Sequence, residues 1–489
     1  MSQIPVLILI LPLLFVPIII LMRMFKVSYL IIVVSSVLNF LLITILTINV
    51  FTNGAVFYEL GGWPPPIGIR LNADMLSCLF LMLIGFMNLV CIISCKEIVE
   101  KTVSSSKVYL FYIAWLLCNT GFTGIILTDD IFNMFVFLEI SSLSSYYLIS
   151  QGNQKKSTFA ALQYLFIGSI GAIFVLFAIG LLYMITGTLN MQDLTKQLAV
   201  VEEKQIILFA IVFLLAGVGI KSALFPLHGW LIKTYAYSPS IVTTYFSGTS
   251  TKIGIYIFFR VFLDILNNIG PLTLFSLSDI LIALSSIGVV LITYYAIKQT
   301  DVKKMLAYSS VGQLSYIFIA MILYIPDGIT ASLVHVINHS IIKTSLFLTL
   351  TLLFISKKEV LLTDLAGLSS KQPIVTSCFL IMSLALVGLP LTAGFISKWY
   401  LILSLIQSKY WMFTSIVVLT SFMTLFYVWK MIDQVYFKEN SNGEMFELKK
   451  HQFIPIAFLT LLIIYLGIET SLTVGVSQSI AYDIIYGVI

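Results

Sequence analysis

Charge is what this sequence has least of. Only 10% of its 489 residues are Asp, Glu, Lys or Arg, while 59% are hydrophobic and the mean hydropathy is +1.05. Soluble domains carry roughly 25% charged residues, and no soluble chain of this length covers its surface with so few. The bilayer must act as solvent for much of it, which excludes an ordinary soluble enzyme. The net charge of +5 would suggest a nucleic-acid partner in a soluble protein. Here the basic residues lie in short loops, where they report topology, and no nucleic acid is expected. Cysteine is sparse too. Cys78, Cys91, Cys95, Cys118 and Cys378 all sit in apolar runs, where they read as small buried hydrophobes and not as a metal or redox site. Nothing ligates haem, an iron–sulfur cluster or flavin, so no cofactor is expected. No cleavable secretory signal is recognisable: Pro5–Met22 is long enough to be a first span, and the chain runs directly into a second. With no low-complexity stretch and no linker, residues 1–489 read as one integral membrane domain.

Apolar runs are what the chain has in abundance. A helix needs about 20 apolar residues to cross a hydrocarbon core of roughly 30 Å. Spans are predicted near 4–22, 28–51, 75–95, 108–127, 131–150, 161–185, 206–226, 240–263, 273–297, 305–325, 329–355, 373–406, 409–434 and 452–474. The expectation is an all-α polytopic membrane protein of about fourteen transmembrane helices. The connection between the second and third spans holds Gly61-Gly62-Trp63-Pro64-Pro65-Pro66, which reads as a rigid interfacial loop with a Trp suited to the headgroup layer.

The few basic residues alternate between loops. One set holds Arg23 and Lys26; Lys96, Lys101 and Lys107; Lys155 and Lys156; Lys233; Lys298, Lys303 and Lys304; Lys357, Lys358 and Lys371; and Lys438, Lys449 and Lys450. The other holds only Arg70, Lys196, Lys204 and Lys409. Lys and Arg are enriched on the cytoplasmic side, which puts the first set inside and both termini outside. That arrangement requires an even number of spans.

Other ionisable residues lie within spans or at their ends: Glu139, Lys221, His228, Lys252, Arg260, His335, His339, Lys343, Lys398 and Lys430. A charged side chain at the centre of a span costs about 2.5–3.5 kcal/mol on insertion scales. Arg260 and Lys430 lie near helix ends, where long side chains snorkel, and Asp264 is a local partner for Arg260. Glu139 stands near mid-bilayer depth with no opposite charge in its own helix. It must be neutral or find a cation on another helix, and Lys221 is the natural candidate. The Gly and Pro residues of Gly217–Pro226 would let that helix break beside the ammonium, as at ion sites of transporters. A static bridge that merely fixes packing is the competing reading, but it leaves the further lysines unexplained. Lys252 has polar neighbours in Ser247–Gly254. His335, His339 and Lys343 recur at i, i+4 and i+8; four residues advance a helix by about 400°, so the three form one stripe. Each histidine both accepts and donates protons near neutral pH. Lys398 follows a second interrupted segment, Gly388–Ser397. Two interrupted spans, one in each half, point to an internal repeat with a site at its interface. Together these groups suit a proton path.

These motifs resemble the antiporter-type subunits shared by Mrp multisubunit cation/proton antiporters, respiratory complex I and membrane-bound hydrogenases. The resemblance covers nearly the whole chain. It rests on Phe137-Leu138-Glu139, the run Lys221–Trp230, Thr251–Tyr256, His335-Val336-Ile337-Asn338-His339 with Lys343, and Gly388-Leu389-Pro390 to Lys398-Trp399. It implies two inverted five-helix repeats, about 108–263 and 273–434, with broken seventh and twelfth helices. It also implies that Glu139 and Lys221 form a charge pair, that Lys252, His335, His339 and Lys343 connect the halves, and that Lys398 ends the path. The Gly61–Ile69 loop followed by Asp74-Met75-Leu76-Ser77 is similar to that of the D subunit of Mrp-type antiporters. Lys in place of a carboxylate at 398 separates the chain from one complex I subunit. The family usually has Pro and a small or acidic residue where Ile232 and Lys233 stand here. The implied function is the proton-translocating subunit of a monovalent cation (Na⁺)/proton antiporter in a bacterial inner (cytoplasmic) membrane. Its implied partners are other membrane subunits, lipid, protons and Na⁺; it would be a transporter and not an enzyme. Two alternatives stay open: a proton-pumping membrane subunit of a redox-driven complex, and a stand-alone transporter or membrane scaffold.

Overall fold

The computed structural model describes residues 2–22, 25–152, 155–265, 271–355, 357, 359–439 and 448–486. Helices dominate it. Among the described residues eleven helices are long and apolar enough to cross a bilayer, and a bent pair, Gln452–Ile468 with Ser471–Tyr486, makes a twelfth. The two remaining expected spans, the eighth and the twelfth, are each built from two shorter helices: Ser240–Gly248 with Ser250–Phe259, and Pro373–Val387 with Ala393–Gln407. The twelfth was expected to break. The break in the eighth was not, because nothing between Ser247 and Gly254 is as disruptive as proline; Thr249 leaves the helical region at φ −123°, ψ −61°.

The chain divides into two compact units. The first takes the chain up to Ser222 and again from Thr249 to Ser276; the second takes Ala223–Gly248 and the chain from Leu277. Hydropathy alone gives no sign of this exchange.

In the first unit the first seven spans are Ile4–Met22, Phe25–Asn53, Met75–Ser94, Val108–Leu127, Ile131–Ser150, Lys155–Thr186 and Lys204–Lys221. Short polar side chains start several of them. Asp74 accepts from the Ser77 amide at 2.8 Å and Asp130 from the Asn133 amide at 2.7 Å, satisfying amides that a helix start leaves without partners. The loop before the third span is a hairpin: Val56–Glu59 pairs antiparallel with Arg70–Ala73, in the register Val56 to Ala73. Its tip holds Trp63, 64% exposed. Two acid–base contacts tie loops and helix ends. Arg70 Nε donates to Asp129 Oδ2 at 2.9 Å, and Asn190 Nδ2 to the Asp129 carbonyl at 3.0 Å. Arg260 reaches Asp74 Oδ1 at 2.6 Å, Ser77 Oγ at 2.9 Å and the Tyr256 hydroxyl at 2.9 Å. Arg260 therefore does not snorkel: it closes an ion pair with a helix cap 186 residues away. The Asp264 side chain lies outside the described residues, as do Arg23, Lys358 and the side chains of Lys26 and Lys450.

In the second unit the spans after the eighth are Pro271–Lys298, which enters it at Leu277, then Val302–Ile322, Pro326–Leu353, the broken twelfth, Trp411–Phe437 and Lys450–Ile468. Pro326 and Pro373 occupy first-turn positions where no amide bond is lost. The eleventh span, Pro326–Leu353, is buried along nearly its whole length and packs against the tenth, the twelfth, the fourteenth and Ser240–Gly248. Two topology markers differ from expectation. Lys233 lies inside a helix, Gly229–Tyr237. Lys303 is buried and donates to Ser240 Oγ at 2.8 Å. Lys430 is exposed and caps the Ile297 carbonyl at 2.6 Å, as a snorkelling side chain does.

Candidate functional site

The predicted site residues divide between the units: Glu139, Lys221 and Lys252 in the first, His335, His339, Lys343 and Lys398 in the second.

In the first unit, Lys221 is the last residue of its helix, and the chain then runs without helix to His228 before Gly229–Tyr237 begins. The helix end places a buried ammonium against the fifth span. Its Nζ donates to Ser142 Oγ at 2.6 Å and stands 5.6 Å from the centre of the Tyr164 ring. Ser142 lies three residues after Glu139, on the same helix face. Among the described residues no ion pair joins Glu139 and Lys221, so a hydroxyl, not the carboxylate, holds the cation. Glu139 itself is half-buried. Lys252 is fully buried in the first turn of Ser250–Phe259, just beyond the Thr249 break. Gly254 lets that helix close onto the Lys221 helix end: a Cβ there would stand 2.6 Å from Ser222 Cα.

In the second unit two members of the expected stripe lie side by side. The His335 and His339 rings stack with centroids 6.1 Å apart and planes 6° from parallel. His335 Nδ1 bonds Ser397 Oγ at 2.8 Å, one residue before Lys398. The break in the twelfth span serves Lys398 directly. Pro373–Val387 ends at Gly388, whose φ is +93°, and a helix end leaves carbonyls without amide partners. Lys398 Nζ, on the following half-helix, takes two of them: Val387 O at 2.7 Å and Leu386 O at 3.3 Å. The carbonyl end of a helix also carries partial negative charge. No carboxylate stands within ion-pair distance of Lys398 among the described residues. Its Nζ lies 5.4 Å from the centre of the Tyr316 ring, which meets His335 edge-on.

A cavity of about 10 Å³, close to the room one water needs, is lined by Gln313, His335, Asn338, His339, Ser397 and Lys398, with apolar neighbours. Asn338 Nδ2 holds the Ala393 carbonyl at 2.6 Å, and its buried Oδ1 makes no hydrogen bond. Lys343, fully buried, donates to Leu306 O at 3.0 Å and Ser309 Oγ at 2.8 Å. The hydrogen bonds shown for His335, Lys343 and Lys398 thus all go to neutral oxygens. An ammonium held by carbonyls and hydroxyls can lose its proton without stranding a buried anion, which a lysine in a tight ion pair cannot.

Ser142, Ser309, Ser397, Asn338 and Tyr316 escaped the sequence reading. Serines and tyrosines are common in helices, and only packing shows which of them meet an ammonium or an imidazole.

Residues 128–424 match the family described as NADH:quinone oxidoreductase/Mrp antiporter, transmembrane. The chain is 33% identical over 425 residues to the N subunit of the NADH-quinone oxidoreductase of Desulforudis audaxviator, with 84% of each chain covered. It is 29% identical to the D subunit of the Na⁺/H⁺ antiporter of Alkalihalophilus pseudofirmus, covering 88% of this chain and 87% of the relative. A chain in the structure of the Mrp complex from Dietzia superposes with a TM-score of 0.90 at 22% identity, covering 100% of this chain and 98% of the other. A membrane protein with the fold of antiporter-type subunits, this chain belongs to the NADH:quinone oxidoreductase/Mrp antiporter membrane family.

Proposed function

We propose that the chain is the proton-translocating subunit of a multisubunit Na⁺/proton antiporter, working with other membrane subunits in a bacterial cytoplasmic membrane with both termini outside. Protons pass through Glu139, Lys221 and Lys252 in one repeat (about 108–263) and through Lys343, His339, His335 and Lys398 in the other (about 273–434). The observation that carries this reading is the second unit's row of buried titratable groups around a water-sized cavity, with Lys398 hydrogen-bonded to helix-end carbonyls. Likeness to the D subunit of a Na⁺/H⁺ antiporter supports the cation. The test is to purify the complex from its native membranes, identify its subunits and reconstitute it in liposomes. An imposed Na⁺ gradient should change the internal pH, and Lys398→Ala should abolish that change. The alternative, a proton-pumping membrane subunit of a redox-driven complex, has its own support in the 33% identity to a component of a quinone oxidoreductase. Co-purifying iron–sulfur subunits, with no pH change under a Na⁺ gradient, would decide for it.

A further inference from the structure

The hydrogen bonds of Lys343 lead away from the histidine row. Ser309 Oγ, which accepts from Lys343 Nζ at 2.8 Å, lies 2.7 Å from the Tyr427 hydroxyl on the thirteenth span. Lys343, Ser309 and Tyr427 are all buried. Beyond Tyr427 stands the Thr424 hydroxyl, which donates to Thr420 O at 2.9 Å. Either member of the Ser309–Tyr427 pair can be the donor, and Lys343 decides which. A charged Lys343 offers only hydrogens. Ser309 must then accept from it and turn its own hydrogen to Tyr427. A neutral Lys343 offers a lone pair, and Ser309 can donate to it whether or not Tyr427 is there. The tyrosine oxygen is therefore needed in one charge state alone.

We propose that Tyr427, acting through Ser309, is a positioning residue that stabilises the protonated form of Lys343 in the proton path. This inference rests on the relay reading above and adds to it a residue on a helix that the path does not otherwise use. In the transfer itself one N–H bond of Lys343 breaks and one forms on the next base of the path. Ser309 and Tyr427 only reverse the direction of their shared hydrogen bond, each keeping one hydrogen. The buried titratable groups on the helices around Lys343 include His339 and His335 on the same span, Lys303 and Tyr316 on the tenth, Lys398 on the twelfth and Tyr245 on the eighth; the half-buried or exposed ones include Lys304, Tyr308, Asp327, Tyr400, Lys430, Asp433, Tyr436, Tyr482, Asp483 and Tyr486. Of these, Tyr316 interacts electrostatically with Tyr427, so the Ser309 variants, which keep the tyrosine, check that the shift arises at Lys343.

The experiment follows Na⁺-driven proton flux against pH, in liposomes holding the intact complex at matched abundance. Tyr427→Phe deletes one oxygen. It should leave the maximal flux near wild type and move the pH midpoint lower by up to about one unit, the equivalent of one neutral hydrogen bond. Ser309→Ala should move it the same way, and Ser309→Thr, which keeps a hydroxyl, should restore the wild-type midpoint. An unchanged midpoint in Tyr427→Phe overturns the proposal, whatever Ser309→Ala does. So does a shift to higher pH, or loss of flux at every pH in a normally assembled complex. If Tyr427→Phe fails to assemble, the two Ser309 variants decide alone. Lys343→Ala separates the two ideas: full flux without Lys343 defeats the relay reading itself, whereas lost flux combined with a wild-type midpoint in Tyr427→Phe defeats only the role of the tyrosine.

Discussion

At the scale of single residues, an ammonium without a carboxylate is the recurrent device. Lys398 rests on the Leu386 and Val387 carbonyls and Lys221 on Ser142. Arginine stays protonated in proteins, so Lys398→Arg should slow proton movement as severely as Lys398→Ala while preserving charge and assembly. Wild-type flux in the arginine variant would mean that Lys398 supplies only a fixed positive charge. Glu139 makes a second test. Breaking a buried ion pair costs about 3–5 kcal/mol, but Glu139 is half-buried and not in ion-pair contact with Lys221. Glu139→Ala should therefore insert at near-normal abundance and still abolish exchange. A large fall in protein level would show instead that the carboxylate serves packing. The residue types and their i, i+4 spacing were legible in the sequence. Their neutral partners were not, since a hydroxyl 79 residues away leaves no pattern along the chain.

At the scale of elements, helix ends inside the membrane do the positioning. The seventh span stops at Lys221 and the twelfth at Gly388, and both stops were legible because Gly and Pro weaken helices whatever surrounds them. Gly388 is the more exposed to test. An added Cβ would stand 2.9 Å from Lys398 Cδ, on a backbone at φ +93°. The left-handed conformation costs a non-glycine residue roughly 1–2 kcal/mol. Gly54, at φ +88° with nothing within 4 Å of the added carbon, carries the same backbone cost with no lysine nearby. Gly388→Ala should therefore lose both stability and transport, and Gly54→Ala stability alone. Equal transport in the two would detach the break from Lys398. The Thr249 break was not legible. It falls where the chain passes from Ser240–Gly248 in one unit to Ser250–Phe259 in the other, and that passage is a fact of tertiary packing.

At the scale of the whole molecule, orientation rests on the distribution of Lys and Arg. A reporter active only in the cytoplasm should stay dark when fused after Ile489 and be active in the Lys357–Lys371 loop; the reverse pattern would overturn the orientation. Some of that distribution has other work to do. Lys303 is buried on Ser240, and Arg70 and Arg260 are neutralised by Asp129 and Asp74. What the sequence by itself determined was the membrane as solvent, the rough limits of most of the spans and the titratable types inside them. Each follows from local composition, because a bilayer demands an apolar run of a set length and penalises every charge within it. Only the tertiary structure decided the exchange of 223–248 between units, the carbonyl seat of Lys398, the hydroxyl seat of Lys221, and the line from Lys343 to Tyr427. Those depend on which faces of distant helices meet, and once every face is apolar enough for lipid, hydropathy no longer distinguishes the faces that pack from those that do not.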